Sequence, residues 1–354
     1  MSETIIKQIN LQFYKLNLRK PIITALQTIR DRTGIIIQVI DQSGNFGLGE
    51  SSPLADFGME TIIHTARSLK RIQDLLIGEA IVTLDDISNL LAPHRLPPAA
   101  KHGIELALLN LLAARQQISL AQLLHPHHRP IVTVNALIGQ VSPEIAAEKT
   151  RQLYQVGYQC LKVKVGDDQD LQRVTAIRKM ANTFGSQGIK IRIDANQAWT
   201  VPQAITKLKA FTDLDIEYVE QPVESDDLVG MAEVSNAVSI AIAADESVKN
   251  MEGLEQVIKT KAARIVILKP MAMGGILTAQ KAAKLAIQAG LDVVVTTTLD
   301  GAIARLGALH LAAMPEINRA CGLASLDLFT SEPFTITAQL ALKTEVVAGA
   351  ISIY

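Results

Sequence analysis

Five ionisable residues recur along the second half of the chain at nearly constant intervals. The intervals are 30, 26, 25 and 24 positions, and the residues are Lys164, Asp194, Glu220, Asp245 and Lys269. Each one ends or directly follows a short apolar run, in the segments KVK, RIDAN, YVEQP, AADES and VILKP. Ordinary surface charges would not keep such a register. The spacing therefore predicts one site assembled from five successive structural units.

The three carboxylates of this series predict a metal site. Carboxylates crowded at one point raise one another's pKa values strongly unless a cation lies among them. Oxygen ligands with room left for water and substrate favour Mg²⁺ over zinc. Asp194, Glu220 and Asp245 are therefore the candidate Mg²⁺ ligands, and Mn²⁺ is expected to substitute. A buried salt-bridge network with the lysines is the alternative, but it does not explain the repeated placement.

The two lysines at the ends of the series predict acid/base chemistry. An ammonium group beside a second ammonium group and a metal ion is pushed towards its neutral form, which can accept a proton. In CLKVKVGDD, Lys162 and Lys164 alternate with apolar residues and so lie on one face of a strand. Lys164 and Lys269 are the candidate bases for removing a proton next to a substrate carboxylate.

The pattern of apolar and amphipathic segments after residue 130 predicts the strands and helices that position these groups. Short apolar strands alternate with helical stretches, which implies βαβ units and a parallel sheet. Seven evenly spaced strands without a Gly-rich phosphate turn favour a closed (β/α) barrel over an open sheet. The predicted strands are Val132–Leu137, Cys160–Val165, Ile189–Asp194, Ile216–Val219, Ile240–Ala244, Ile265–Leu268 and Asp292–Thr297.

The first 128 residues predict a separate α+β domain. Antiparallel strands are predicted at Thr4–Leu18, at Gly34–Asp41 and in a short run into Gly49 and Glu50, with helices at Thr61–Leu76 and Ala99–Gln116. The segment HPHHRP breaks this pattern at residues 125–130. We therefore predict a capping domain at residues 1–128, a barrel domain at 129–324, and a tail at 325–354 that completes the capping domain.

Composition excludes several classes of partner. The net charge of -1 gives no support for binding to nucleic acid or to an anionic membrane. No apolar run reaches the length needed to span a bilayer, and the N-terminus lacks a secretory pattern. These features predict a cytoplasmic protein that acts on a small-molecule carboxylate. The oligomeric state is left open.

The motifs KVK, DAN, EQP, DES and KPMAMGG, in this order and spacing, resemble the enolase superfamily, in its muconate-lactonizing-enzyme-like branch. The resemblance implies a modified (β/α)7β TIM-type barrel with an α+β capping domain. It also implies that Asp194, Glu220 and Asp245 bind Mg²⁺. Lys164 and Lys269 would be the acid/base pair, and Lys162 would lower the pKa of Lys164.

Within that branch, GLGESSPLADFGMET (47–61) and ACGLASLDL (320–328) resemble the o-succinylbenzoate synthase family, with Gly58 in place of a serine. RDRTG (30–34) is similar to a mobile loop that precedes the second strand in that family. The resemblance implies syn dehydration of 2-succinyl-6-hydroxy-2,4-cyclohexadiene-1-carboxylate to 2-succinylbenzoate, a step of menaquinone or phylloquinone biosynthesis. Lys164 would remove the α-proton to give an enediolate, which cationic Lys269 would stabilise. The candidate substrate contacts are Arg32, Ser52, Asn196, Thr298 and Asp300.

Two related activities and one non-enzymatic role remain as alternatives. A dipeptide epimerase usually carries Asp-x-Asp near the end of the barrel, where this chain reads Ser325-Leu326-Asp327. An N-succinylamino acid racemase needs both lysines to move protons, whereas the dehydration needs only Lys164. A catalytically inactive barrel used for binding would be expected to have lost at least one of these groups.

Overall fold

The computed structural model describes residues 3–23, 28–185, 188–325, 328–330, 346–347 and 349–353. Its N-terminal part contains a four-stranded antiparallel sheet with the order β3-β2-β1-β4. The strands are β1 (Thr4–Ile23), β2 (Thr28–Asp41), β3 (Phe46–Ser51) and β4 (Ala80–Ile81). The three longer strands confirm the antiparallel sheet that the alternating pattern predicts.

Four helices accompany this sheet, together with short 3-10 turns at Ala55–Phe57 and Ala92–His94. They are α1 (Ile62–Leu76), α2 (Leu84–Leu91), α3 (Pro98–Gln116) and α4 (Leu120–Leu124). Helix α3 crosses β3 so closely that a Cβ atom on Gly49 would lie 1.8 Å from the carbonyl oxygen of Gly103. The glycines of the segment GLGE therefore allow the sheet and the buried helix to touch, and they bring Glu50 to the edge of the capping domain.

The second part is a curled parallel sheet surrounded by helices. Its seven strands have the order β12-β11-β10-β9-β8-β7-β6. After β5 (Ile131–Thr133), the strands are β6 (Ala136–Ile138), β7 (Cys160–Lys164), β8 (Lys190–Asp194), β9 (Ile216–Glu220), β10 (Ile242–Ala244), β11 (Ile265–Leu268) and β12 (Asp292–Val295). The helices are α5 (Pro143–Gln155), α6 (Asp170–Asn182), α7 (Val201–Ala210), α8 (Leu228–Ala237), α9 (Met251–Thr260), α10 (Ile276–Gln288) and α11 (Ala302–Ala312), with a 3-10 turn at Thr212–Leu214.

Residues 321 and 322 close the curled sheet. Cys321 forms a parallel bridge with Val134, beside the first strand, and Gly322 forms one with Thr296, after the last. This short segment occupies the eighth strand position, which confirms the modified (β/α)7β barrel. The apolar side chains of the barrel strands and of the surrounding helices form one large core.

Two local predictions differ from the structure. The strand predicted at residues 132–137 is two strands, because this extended segment changes partners. Its first part, β5, pairs with β14 (Ala350–Ser352), which also pairs with β13 (Val346–Val347). RDRTG is not a loop but lies within β2, where Leu16 of β1 is the partner of Arg32. The alternation of polar residues in RDRTG suits an edge of a sheet as well as it suits a loop.

The part of the tail that the structure describes makes contacts on two sides. Phe329 forms an antiparallel bridge with Leu18 of β1, whereas β14 pairs with β5 beside the barrel. The boundaries drawn at residues 128 and 324 stay predictions. Among the helices of the described residues, none has the length and apolar character needed to cross a membrane.

Candidate active site

The carboxyl ends of the barrel strands open into a cavity of about 280 Å³ beneath the capping domain. In the parallel register, Lys164 on β7 is the partner of Asp194 on β8, which in turn is the partner of Glu220 on β9. Register therefore sets these side chains at one height. The cavity is lined by all six residues predicted for catalysis and metal binding, namely Lys162, Lys164, Asp194, Glu220, Asp245 and Lys269.

Strand β7 contributes two ammonium groups to one side of this cavity. The Nζ atom of Lys162 lies 2.8 Å from Oδ2 of Asp194 and 2.5 Å from Oε1 of Glu220. The Nζ atom of Lys164 lies 2.7 Å from the same Asp194 oxygen and also donates a hydrogen bond to Oδ1 of Asn196. The alternation that the sequence shows thus directs both lysines at the carboxylates.

Lys269 approaches the row of carboxylates from its other end. Its Nζ atom lies 2.5 and 2.6 Å from the two carboxylate oxygens of Asp245. The same atom lies 3.9 Å from the ring centroid of Phe57, a residue of the capping domain. Lys164 and Lys269 therefore contact different carboxylates, on β8 and directly after β10, within one cavity.

Burial and charge together set the protonation of these groups. Burial and the neighbouring charge of Asp194 raise the pKa of Glu220 to about 8. Burial opposes the charge of Asp194, but Lys162 and Lys164 outweigh it and hold the pKa of Asp194 below its usual range. Burial likewise opposes the ammonium of Lys162, but the two carboxylates hold its pKa well above the ordinary value. Lys162 therefore stays cationic at neutral pH.

The donors in the cavity fit a hard divalent cation. Four carboxylates and three ammonium groups line it, so with every carboxyl group ionised a bound substrate carboxylate would leave two negative charges in excess. One divalent ion would balance them, and oxygen-only donors suit Mg²⁺. Glu246, which directly follows Asp245, has a buried Oε2 atom without a hydrogen-bond partner. Within the described residues no three His, Cys, Asp or Glu side chains form a ready-made metal centre, and the oxygens face the lysines instead.

Main-chain conformation at the strand ends marks the same region. Asn196, Gln197, Gln221 and Leu299 all have positive φ angles, of 43°, 66°, 38° and 59°. Residues other than glycine seldom adopt this conformation, and besides helix ends they cluster at functional sites. Three of the four residues line the cavity, and Gln221 instead accepts hydrogen bonds from the main-chain N–H groups of Asp245 and Ser247.

Of the five predicted substrate contacts, Asn196 and Thr298 line the cavity. The other three lie behind its wall. Arg32 donates hydrogen bonds to the main-chain carbonyls of Leu299, Pro53 and Ser52, at 3.1, 3.0 and 2.5 Å. Its guanidinium thus joins β2 to the loop after β12, which is a structural use of the charge.

Ser52 and Asp300 are also turned away from the cavity. The main-chain N–H of Ser52 lies 3.2 Å from the sulphur of Met271. Asp300 accepts a hydrogen bond of 2.5 Å from the hydroxyl of Thr298, and burial raises the pKa of Asp300 to about 7. Neither residue lines the cavity among the described residues, so both support its wall from the junction of barrel and capping domain.

Several lining residues were not among the predicted site residues. Glu246 is the second acid of DES, and burial together with the charge of Asp245 raises its pKa to about 7. Tyr218 precedes Glu220 by two positions on the same strand, and both line the cavity. The alternation of side chains along β9 could therefore have identified Tyr218 from the sequence. Phe57 lies in the capping domain, and no spacing relates it to the barrel strands. Ile22, Ile29 and Leu54 add an apolar wall on that side.

Fold and cavity together define a barrel enzyme with lysines and clustered carboxylates at the strand ends. The chain belongs to the enolase superfamily, in its muconate-lactonizing-enzyme-like branch. Residues 8–125 match the mandelate racemase/muconate lactonizing enzyme N-terminal domain, and residues 144–343 match the enolase C-terminal domain-like family.

Individual relatives carry out different reactions. The hydrophobic dipeptide epimerase of Enterococcus faecalis is 30% identical over 353 residues, 98% of this chain and 94% of the relative. Its structure, complexed with Mg and the dipeptide L-Leu-L-Tyr, covers 93% of each chain with a TM-score of 0.86. The N-succinyl Arg/Lys racemase structure from Bacillus cereus is 26% identical, with a TM-score of 0.88 over 99% of this chain and 93% of that one. An o-succinylbenzoate synthase of Thermobifida fusca is 37% identical over 210 residues, 58% of this chain and 62% of the relative.

Proposed function

We propose that this enzyme inverts the configuration at the α-carbon of a small carboxylate. One lysine removes the α-proton from one face, and the other lysine returns a proton to the opposite face. One observation carries the proposal. Lys164 and Lys269 enter a single cavity from opposite ends of a row of carboxylates, where each could serve one face of a substrate. Relatives that match 98% and 95% of the chain are named epimerases, and a racemase structure covers 99% of it. This reaction replaces dehydration, which the sequence alone favours, as the first candidate.

The residues have separate tasks in the proposed mechanism. Asp194, Glu220 and Asp245 would hold Mg²⁺, which, when bound, supplies positive charge to the substrate carboxylate as its α-proton leaves. Lys164 would remove the proton from one face, and Lys269 would return a proton to the other. Lys162, kept cationic by its two carboxylates, would be the assisting lysine beside Lys164.

We propose an N-acylated amino acid as the substrate class. A dipeptide and an N-succinyl amino acid share one chemical feature, an α-carbon between a carboxylate and an acylated nitrogen. The carboxylates that line the cavity belong to β8, β9 and the residues after β10, while the capping-domain wall is apolar. An acyl group without a free ammonium suits that wall best. The segment Ser325-Leu326-Asp327 stands where dipeptide epimerases usually carry Asp-x-Asp, and its residues Leu326 and Asp327 lie outside the described residues.

Proton exchange in D₂O tests the proposal directly. Both enantiomers of N-succinyl-arginine, and hydrophobic and Ala-Glu dipeptides, are incubated with enzyme and Mg²⁺ and followed by ¹H NMR. We expect loss of the α-proton signal together with inversion for at least one of these substrates. The absence of metal-dependent exchange in all of them would remove the proposal, and absence of any turnover would favour a barrel that only binds.

The dehydration of 2-succinyl-6-hydroxy-2,4-cyclohexadiene-1-carboxylate is the second candidate. The Thermobifida fusca synthase has the higher identity, 37%, although over a shorter segment. The apolar capping-domain wall would also accept a ring without an ammonium group. A direct absorbance assay of this reaction, run beside the exchange assay at equal enzyme concentration, ranks the two candidates by kcat/KM.

A further inference from the structure

Phe57 joins the capping domain to the loop that carries Lys269. It ends the 3-10 turn Ala55–Phe57, and its half-buried ring lines the cavity. The ring packs against a small apolar cluster that both domains share, made of Met59, Ala99, Met271, Ala272 and Ala304. Met271 and Ala272 follow Lys269 by only two and three positions. The packing of the ring is therefore fixed from both domains, next to the lysine.

The face of the same ring meets the ammonium group of Lys269. The Nζ atom lies 3.9 Å from the ring centroid, within the range of a cation–π interaction, and the lysine side chain is only 12% exposed. On its other side the ammonium contacts both oxygens of Asp245. Lys269 is thus held between a barrel carboxylate and a capping-domain ring, and little water remains to weaken either contact.

A second lysine provides a natural comparison for this contact. Lys249, in the loop after β10, has its Nζ atom 5.6 Å from the centroid of the same ring. The longer distance gives a weaker attraction. Lys249 does not line the cavity among the described residues. Removal of its charge therefore perturbs the ring without touching the reacting groups.

We propose that Phe57 is a positioning residue for Lys269. Its ring keeps the ammonium group at the cavity, so proton transfer by Lys269 requires a docked capping domain. Lys164, held by Asp194 and Asn196 of the barrel, carries no such requirement. The consequence for turnover rests on the proposed function, but the contact itself does not.

An NMR experiment tests the contact independently of activity. In enzyme labelled with [¹³C]lysine, the spectra of Lys269→Arg and Lys164→Arg assign the two Cε–Hε signals. Above the ring face, the Lys269 signal is expected to be shifted upfield. Phe57→Leu, which keeps the apolar bulk, should remove the upfield shift of the Lys269 signal and leave the Lys164 signal unchanged. Phe57→Tyr should retain the upfield shift. An unmoved Lys269 signal in folded Phe57→Leu would overturn the proposal.

Exchange kinetics test the functional consequence. We expect Phe57→Leu to slow α-proton exchange from the enantiomer that Lys269 serves by about tenfold, which corresponds to about 1.4 kcal/mol in the barrier. Exchange from the other enantiomer should change little, and Phe57→Tyr should restore both rates. Lys249→Met is the matched control and should leave both rates unchanged. Equal slowing of both enantiomers would show a general structural role and contradict the proposal.

The two experiments separate the failure of the contact from the failure of the proposed function. If the wild-type enzyme exchanges no α-proton, the proposed function fails, and the NMR result alone decides whether Phe57 holds Lys269.

Discussion

Lys164 ends β7 and Lys269 directly follows β11 of the same barrel, but different parts of the molecule hold them. Lys164 lies on β7, and its ammonium contacts Asp194 and Asn196, both from the neighbouring strand end. Lys269 contacts Asp245 of the barrel and also the ring of Phe57 from the capping domain. One side of the cavity is thus built within the barrel sheet, and the other is completed across a domain interface.

The interface uses buried carboxylates to attach the capping domain to barrel helices. Glu50 of β3 accepts hydrogen bonds of 2.7 to 3.1 Å from the main-chain N–H groups of Gly301, Ile303 and Ala304, at the start of α11. Glu105 of α3 accepts one of 2.9 Å from Leu277, at the start of α10. The positive end of a helix favours such a carboxylate. Both contacts therefore position the wall that carries Phe57 over Lys269.

Replacement of Lys164 by alanine is expected to have the largest effect, because it removes a group that both candidate reactions need. Loss of a general base costs about 10²- to 10⁴-fold in rate. Metal-dependent exchange and dehydration should both fall by that factor. Lys179→Ala, at an exposed lysine on α6, is the control and should retain full activity. Substantial activity of Lys164→Ala in either assay would remove its role as base.

Lys269→Arg should separate the two candidate reactions. Arginine keeps the positive charge but does not release a proton near neutral pH. We expect inversion to fall by about 10²-fold or more, while exchange from the enantiomer served by Lys164 persists. Dehydration, which needs only a cation at this position, should keep part of its rate. Equal loss in all three measurements would contradict separate tasks for the two lysines.

Chelation of divalent ions should abolish turnover, and it offers a readout beyond activity. Four ionised carboxylates against three ammonium groups leave one negative charge, and a bound substrate carboxylate adds the second that Mg²⁺ would balance. Added Mg²⁺ should raise the Tm of the chelated protein, since a ligand at 100 times its Kd stabilises the fold by about 2.7 kcal/mol. Asp245→Asn should weaken this increase. An unchanged Tm together with metal-independent turnover would contradict the metal site.

Glu50→Gln should loosen the capping domain without touching the barrel lysines. The neutral amide is a weaker acceptor for three main-chain N–H groups and for the hydroxyl of Tyr14. We expect a loss of about 1 to 3 kcal/mol in the free energy of unfolding, measured with urea. The exposed Glu79 gives the control variant Glu79→Gln, which should leave stability unchanged. Unaltered stability of Glu50→Gln would show that these contacts do not hold the interface.

Glu105 should make the stability of the fold depend on pH. Burial raises the pKa of Glu105 from its usual 4.5 to about 7. The native state therefore binds a proton more tightly than the unfolded chain, so this contribution is present below pH 4.5 and is lost as the pH rises through about 7. The slope is at most about 1.4 kcal/mol per pH unit. Glu105→Gln should flatten the wild-type curve between those values, and parallel curves would contradict the assignment.

Sequence patterns predicted the barrel side of the site more completely than the capping-domain side. The alternation in β7 and the repeated spacing of strand ends indicated six of the residues that line the cavity. RDRTG was interpreted as a loop, but it is part of β2, and Arg32 bonds to main-chain carbonyls instead of lining the cavity. Local composition does not record which partner an arginine meets across an interface, so this error had no signal in the sequence.

The sequence by itself determined which charges face the cavity and in what order, because strand alternation and the βα repeat are local and periodic. Only the tertiary structure decided what completes the site. The bridges of Cys321 and Gly322 close the barrel, and Phe57 meets Lys269 over a separation of more than 200 residues. Such contacts depend on how two domains, each with its own sequence periodicity, pack together. Packing across an interface produces no periodic pattern in the sequence.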